Sequence, residues 1–130
     1  MKTLEDEMQN KANFVISRIN ELSMLQHGRL SGCGCHIDEN GLMWFMEKFN
    51  RTFNFILPIP YMYPTSEGNL MVEWSFDGYE ISLEVDVVNK LAEYQEICVM
   101  NETEKTVDID LSDINDWSKL NKMLVTIYNK

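Results

Sequence analysis

Potential metal ligands and thiols lie close together in the first third of the chain: His27, Cys33, Cys35 and His36. Zinc binds imidazole and thiolate groups, but structural zinc sites usually leave two to four residues between paired cysteines and place a second pair farther along the chain. Only one residue separates Cys33 from Cys35, and the third cysteine stands alone at position 98. We therefore predict no metal ion or other cofactor, and we keep a small zinc-dependent or thiol-dependent protein as an alternative.

Carboxylate groups are the second set of residues that could do chemistry, since a buried pair of them works as a general acid and a general base. The candidates alternate with apolar residues in predicted strands, so they share one face of a sheet. That face is open to water and lacks the burial that separates the pKa values of a catalytic pair. We interpret these residues as a partner-binding acidic face: Glu73, Glu80, Glu84, Asp86, Asp108 and Asp110.

Other catalytic patterns are missing from the sequence. Both histidines lie near one glycine-rich loop, and no serine–histidine–aspartate, cysteine–histidine or nucleophile-elbow pattern surrounds them. The glycines of Gly32-Cys33-Gly34 lack the further glycine and the preceding strand of a phosphate-binding loop. We predict that the protein is not an enzyme.

Charge is distributed unevenly along the chain. The formal net charge is −10, and residues 71–116 contain thirteen acidic residues but only Lys90 and Lys105 as bases. This balance opposes direct binding to nucleic acid or to a membrane surface, and it favours a basic protein surface as the partner. The alternative role of these charges is to keep a small domain soluble.

Three aromatic residues are candidates for an exposed contact patch. Trp44 lies off the apolar stripe of its predicted helix, and Tyr61 and Tyr63 share one side of a short extended run. Prolines at both ends of that run are typical of a strand at the edge of a sheet. Because an edge strand pairs readily with another copy, a homodimer through this strand is a further alternative.

The elements that position these residues follow from apolar spacing. A β-hairpin runs from Leu70 to Val87 around the turn dipeptide Asp77-Gly78. Thr3 and Asp6 resemble a capping box at the start of an amphipathic helix. The alternation after residue 90 is imperfect, which is compatible with a β-bulge.

We predict a single α+β domain over residues 1–130. It has two N-terminal helices, an antiparallel β-meander of four to five strands and one C-terminal helix packed on the apolar sheet face. The predicted bounds are a helix at 4–26, a glycine-rich loop at 28–41, a helix at 42–55, the sheet at 61–111 and a helix at 113–128.

One stretch of the chain resembles a group of small uncharacterised bacterial and phage α+β proteins. The matching features are Pro-Thr-x-x-Gly at residues 64–68, a strand that ends in Glu73-Trp74, and a Leu-Glu-Val strand at 83–85. The resemblance covers residues 40–88. It implies a helix followed by a meander and a bacterial, plasmid or phage origin, and it implies no particular activity.

Together these observations predict a cytoplasmic, non-enzymatic acidic binding module. The absence of an apolar leader and the odd number of cysteines favour reduced thiols in the cytoplasm. Its expected role is that of an inhibitor, immunity protein or antitoxin acting on a basic partner such as a nuclease, with an anti-CRISPR DNA mimic as a special case.

Overall fold

The computed structural model describes residues 3–28 and 37–130, except for the side chains of residues 24–28. Within these ranges three α-helices and a five-stranded antiparallel sheet confirm the α+β class. The elements are α1 Leu4–Gly28, α2 Glu39–Thr52, β1 Tyr61–Pro64, β2 Leu70–Phe76, β3 Tyr79–Asp86, β4 Leu91–Cys98, β5 Thr103–Asp110 and α3 Ile114–Tyr128. None of the helices in these ranges combines the length and apolar character needed to cross a membrane.

The helices begin at side chains that cap free backbone N–H groups. Asp6 N–H donates to Thr3 Oγ1 at 3.1 Å and Thr3 N–H donates to Asp6 Oδ2 at 3.2 Å, so the predicted capping box is present. The N-cap of α3 is Asp113, whose side chain accepts a hydrogen bond from Asn115 N–H.

Helix α2 begins three residues earlier than the sequence pattern predicted. Asp38 caps it by accepting the N–H of Gly41 at 2.8 Å, so Gly41 belongs to the first turn of the helix and not to the preceding loop. The helix also ends at Thr52, three residues before the predicted end. Gly41 lies directly against the turn that follows β3, because a Cβ atom added to it would stand 2.7 Å from the carbonyl oxygen of Val87.

The strands follow one another across the sheet in chain order, β1 to β5, as a simple meander. Asp77 and Gly78 form the predicted hairpin turn, and Gly78 supplies the positive φ of 81°. Strand β4 pairs with β3 in an unbroken register from Leu91↔Asp86 to Cys98↔Tyr79, so it contains no bulge. Its imperfect alternation has another cause, which is that Leu91 lies on the solvent side.

One hydrophobic core joins the sheet to the helices. Alternate residues of β2 and β3 are buried, and they belong to the same core as the buried residues of α1, α2 and α3. Aromatic rings make several of these contacts, such as Phe53 with Trp74 at 6.1 Å and Phe76 with Tyr128 at 5.2 Å between centroids. Helix α3 also contacts β5, the strand that precedes it.

Asn121 of α3 connects the last helix to the end of α2. Its Oδ1 atom accepts the N–H of Asn54 at 2.9 Å, and its Nδ2 atom donates to the carbonyl oxygens of Thr52 at 3.1 Å and Trp117 at 3.0 Å. The side chain therefore satisfies backbone groups that the end of α2 leaves without helical partners.

Candidate functional site

The open face of the sheet, meaning the face opposite the buried core residues, consists of four rows of cross-strand neighbours. In order along the strands, the rows are Asp86–Leu91–Asp110, Tyr63–Met71–Glu84–Glu93–Asp108, Tyr61–Glu73–Ser82–Gln95–Thr106 and Ser75–Glu80–Ile97–Glu104. The strands, all of them described, place eight carboxylates and no lysine or arginine on this face. All six acidic residues selected from the sequence lie there.

Three carboxylates are direct neighbours in one row. Glu93 pairs in register with Glu84 on one side and with Asp108 on the other. Adjacent strands lie about 4.8 Å apart, and like charges directly opposite each other destabilise a sheet. Within the part of the chain that the structure describes, Glu93 and Asp108 form no ion pair or hydrogen bond that would offset this repulsion.

A further pair of carboxylates completes what we name the acidic cluster, which comprises Glu84, Asp86, Glu93, Asp108 and Asp110. Leu91 lies at the centre of this cluster, between Asp86 and Asp110 in its row. About half of its surface, 52%, is exposed. A shallow cavity of about 310 Å³ opens beside it, lined in part by Asn69 and four of the five clustered acids. The cluster thus combines an apolar floor with a ring of negative charge.

Two members of the cluster also stabilise turns. Asp86 accepts hydrogen bonds from the backbone N–H and the side-chain amide of Asn89, and these bonds lower the pKa of its carboxyl group. Asp110 accepts the hydroxyl and the backbone N–H of Ser112, which lower its pKa in the same way. Both groups therefore stay ionised to a lower pH than an ordinary aspartate.

Three of the four remaining predicted acids, namely Glu73, Glu80 and Glu84, each accept one hydrogen bond from a neutral side chain. Tyr63 Oη donates to Glu73 at 2.9 Å, Ser75 Oγ donates to Glu80 at 2.9 Å, and Asn69 Nδ2 donates to Glu84 at 2.8 Å. Burial raises the pKa of Tyr63, and the hydrogen bond and charge of Glu73 raise it further. These bonds orient the carboxylates without neutralising them.

The predicted aromatic patch is split between the two sides of the sheet. Tyr61 and Tyr63 lie on the open face of β1, with 81% and 40% of their surface exposed. Trp44 is half-buried against the core, and the ammonium of Lys90 stands 4.9 Å from the centre of its ring. The structure therefore brings the two tyrosines together but places Trp44 elsewhere.

The thiol and imidazole alternative depends on residues that the structure does not cover. Cys33, Cys35 and His36 lie outside the described residues, as does the side chain of His27, so this alternative stays a prediction. In the described ranges no group of three or more histidine, cysteine, aspartate or glutamate side chains is arranged to hold a metal ion.

Sequence reasoning left Glu93 and Glu104 out of the acidic face. Both alternate with residues of the opposite face, Glu93 with Tyr94 and Glu104 with Lys105. The strict alternation of strand side chains was the signal that could have found them. It was obscured because Leu91 and Ile97 are apolar residues on the open face.

Comparison with known proteins finds no family model that matches the chain, and no similar curated protein or solved structure.

Proposed function

We propose that this protein is a non-enzymatic binding module whose open face takes a basic segment of a partner protein. The observation that carries the proposal is the row Glu84–Glu93–Asp108, in which three like charges are neighbours with no base beside them on the strands. Each repulsive pair costs roughly 0.2–1 kcal/mol. A cationic partner removes this cost on binding, because its charge replaces repulsion by attraction.

The shape of the acidic cluster suits a long basic side chain. An arginine or lysine packs its aliphatic stem on an apolar surface while its charged head remains among polar groups. Leu91 offers such a surface, and because Glu84 and Glu93 are direct cross-strand neighbours, one guanidinium can bind both carboxylates. The exposed side chains of Tyr61 and Tyr63 extend the same face with aromatic contact area.

The helices leave this face available in the proposed arrangement. We take α1, α2 and α3 to pack on the apolar face of the sheet, α3 beside β5, so that the acidic cluster faces solvent. A basic protein surface of this kind occurs in nucleases and other nucleic-acid-binding proteins. The proposed role is therefore that of a cytoplasmic inhibitor, immunity protein or antitoxin, and an anti-CRISPR protein that mimics DNA is its most specific form.

A homodimer through β1 is the competing arrangement, and the geometry of that edge favours it less. Arg18 of α1 donates from Nε and Nη2 to the outward carbonyl oxygen of Met62, at 3.1 and 2.9 Å. Backbone groups alternate in direction along a strand, so Pro60 and Pro64 point the same way as Met62, and neither has an N–H to donate. The edge offers a second strand few free donors.

The test compares two double charge reversals that change the net charge equally. Glu84→Lys with Asp108→Lys alters the acidic cluster, whereas Glu7→Lys with Glu67→Lys alters exposed acids on α1 and in the β1–β2 turn. Each variant and the wild-type protein is immobilised and titrated with a short arginine-rich peptide at two salt concentrations. The same proteins then capture partners from a bacterial lysate treated with nuclease.

We expect the cluster variant to lose at least tenfold in peptide affinity and to lose its captured partner, while the control variant keeps most of both. Binding by the wild-type protein should also weaken steeply as salt rises. Equal losses in the two variants would mean that only the overall charge matters. Unchanged binding in the cluster variant would refute the proposed surface.

A further inference from the structure

A groove of about 520 Å³ lies between α3 and the strands β4 and β5. Every basic residue that follows Lys90 in the chain lines it, namely Lys105, Lys119, Lys122 and Lys130. Lys105 belongs to β5, Lys119 and Lys122 belong to α3, and Lys130 lies two residues beyond the end of α3. The fold, and not the local sequence, therefore brings these lysines together. A protein with a net charge of −10 thus contains a strongly basic groove.

Side-chain carboxylates offset only part of the positive charge of the groove. In the described part of the chain, Lys105, Lys119 and Lys122 form no ion pair or hydrogen bond through their ammonium groups. Among the described side chains that line the groove, one carboxylate is present, that of Glu96, which accepts a hydrogen bond from Tyr94 Oη at 2.7 Å. Among the side chains that line the groove, four ammonium groups against one carboxylate leave a formal charge of about +3. The ammonium of Lys130 also contacts the hydroxyl and the ring of Tyr79.

The groove and the acidic cluster lie on opposite faces of the sheet. Glu96 and Lys105 pair in register and alternate with open-face residues, so both point to the helix side. At physiological ionic strength the screening length is about 8 Å, and charges on the far side of the sheet act weakly in the groove. A small anion there meets the lysines before it meets the acidic cluster.

The other lining residues add hydrogen-bond donors and an apolar wall. Asn115 and Ser118 contribute side chains that make no hydrogen bond to any described residue, and Met123 and Ile127 form part of the floor. Ligand sites commonly have volumes of about 300–1,000 Å³, so the groove has room for a nucleotide-sized molecule. Several separated ammonium groups suit a ligand whose negative charges are also spread along its length.

We propose that this groove binds a small ligand carrying a chain of two or three phosphate groups. Lys119 and Lys122 lie three residues apart on α3 and therefore share one helix face, from which both reach the groove. Lys105 meets the phosphate chain from the opposite wall, on β5. This site is separate from the acidic cluster, and it stands whether or not the open face binds a basic partner.

The experiment titrates the full chain with sodium tripolyphosphate, ATP and AMP, without divalent cations, in 0.1 M NaCl. Isothermal calorimetry gives the affinity, and amide chemical shifts in ¹H–¹⁵N NMR spectra locate the binding. The test variant is Lys119→Gln with Lys122→Gln, two exposed positions whose replacement leaves the core untouched. The control is Lys48→Gln with Arg51→Gln, which removes the same charge from α2.

We expect tripolyphosphate to bind with shifts confined to α3, β4 and β5, and to bind at least tenfold more weakly to the test variant than to the control. AMP should bind much more weakly than ATP. Equal affinities for ATP and tripolyphosphate would mean that the groove binds only the phosphate chain. Tighter binding of ATP would mean that it also binds the nucleoside. Shifts elsewhere in the protein, or equal affinities in both variants, would overturn the proposal.

Discussion

Replacing Glu93 by lysine is the sharpest test of how the open face is built. Glu93 stands between Glu84 and Asp108 in register, so Glu93→Lys converts two repulsive cross-strand pairs into two attractive ones. A charge reversal on a strand residue usually destabilises or has no effect. Here we expect the opposite, because the native charge is unfavourable to the fold.

The magnitude follows from the number of pairs. A cross-strand charge pair is worth roughly 0.2–1 kcal/mol in either direction. Two pairs that change sign at an exposed position should raise the free energy of unfolding by about 1 kcal/mol, after allowance for screening by solvent. For a domain of this size that corresponds to a rise in Tm of about 3 °C.

The assay is thermal and urea unfolding followed by circular dichroism, with Glu80→Lys as the matched control. Glu80 lies on the same face, but its cross-strand neighbours are Ser75 and Ile97, so its reversal relieves no repulsion between direct neighbours. We expect its stability to change by less than about 0.5 kcal/mol. Raising the salt from 0.1 to 1 M shortens the screening length from about 10 to about 3 Å and should remove most of the gain in Glu93→Lys.

A loss of stability in Glu93→Lys, or a gain of the same size in both variants, would refute the reasoning. The first result would mean that the three carboxylates do not repel one another in the folded protein. The second would mean that only the net charge matters. If the gain in stability is accompanied by weaker binding of basic peptides, the native glutamate is retained for function at the expense of stability.

Three further predictions concern the rest of the fold. Gly41→Ala should lower the free energy of unfolding, measured in urea, by about 1–2 kcal/mol. The added Cβ would stand 2.7 Å from the carbonyl oxygen of Val87, and this clash outweighs the better helix propensity of alanine. A more stable variant would contradict the close approach. Asn121→Ala should lower the free energy of unfolding by about 2 kcal/mol, since it removes two hydrogen bonds from α3 to the end of α2 and a third within α3. Asn115→Ala on the exposed side of α3 should cost little, and equal losses in the two variants would exclude Asn121 as the connection. A backbone hydrogen bond from Asn101, in the turn that follows β4, is the chief cause that lowers the pKa of the Cys98 thiol. Iodoacetamide should therefore alkylate Cys98 at a lower pH than it alkylates the amino acid cysteine, as measured by mass spectrometry of the Cys98 peptide. Alkylation at the same pH as the amino acid would contradict this.

The amino-acid sequence by itself determined the local structure of this protein. The capping pair Thr3 and Asp6 and the turn at Asp77-Gly78 could be predicted because their physical causes act within a few residues. The two faces of the hairpin followed from the same kind of local rule, since side chains alternate along any strand. For these reasons most of the acidic face could be assigned before the fold was known.

Only the tertiary structure decided which charges became neighbours. Glu93 meets Glu84 and Asp108 through the register of three strands, which depends on pairing between separated segments and not on spacing within any one of them. The four lysines of the basic groove are likewise brought together by the packing of α3 against β5, although up to 25 residues separate them along the chain. Local patterns fix the face on which a side chain lies, and long-range packing fixes what it faces.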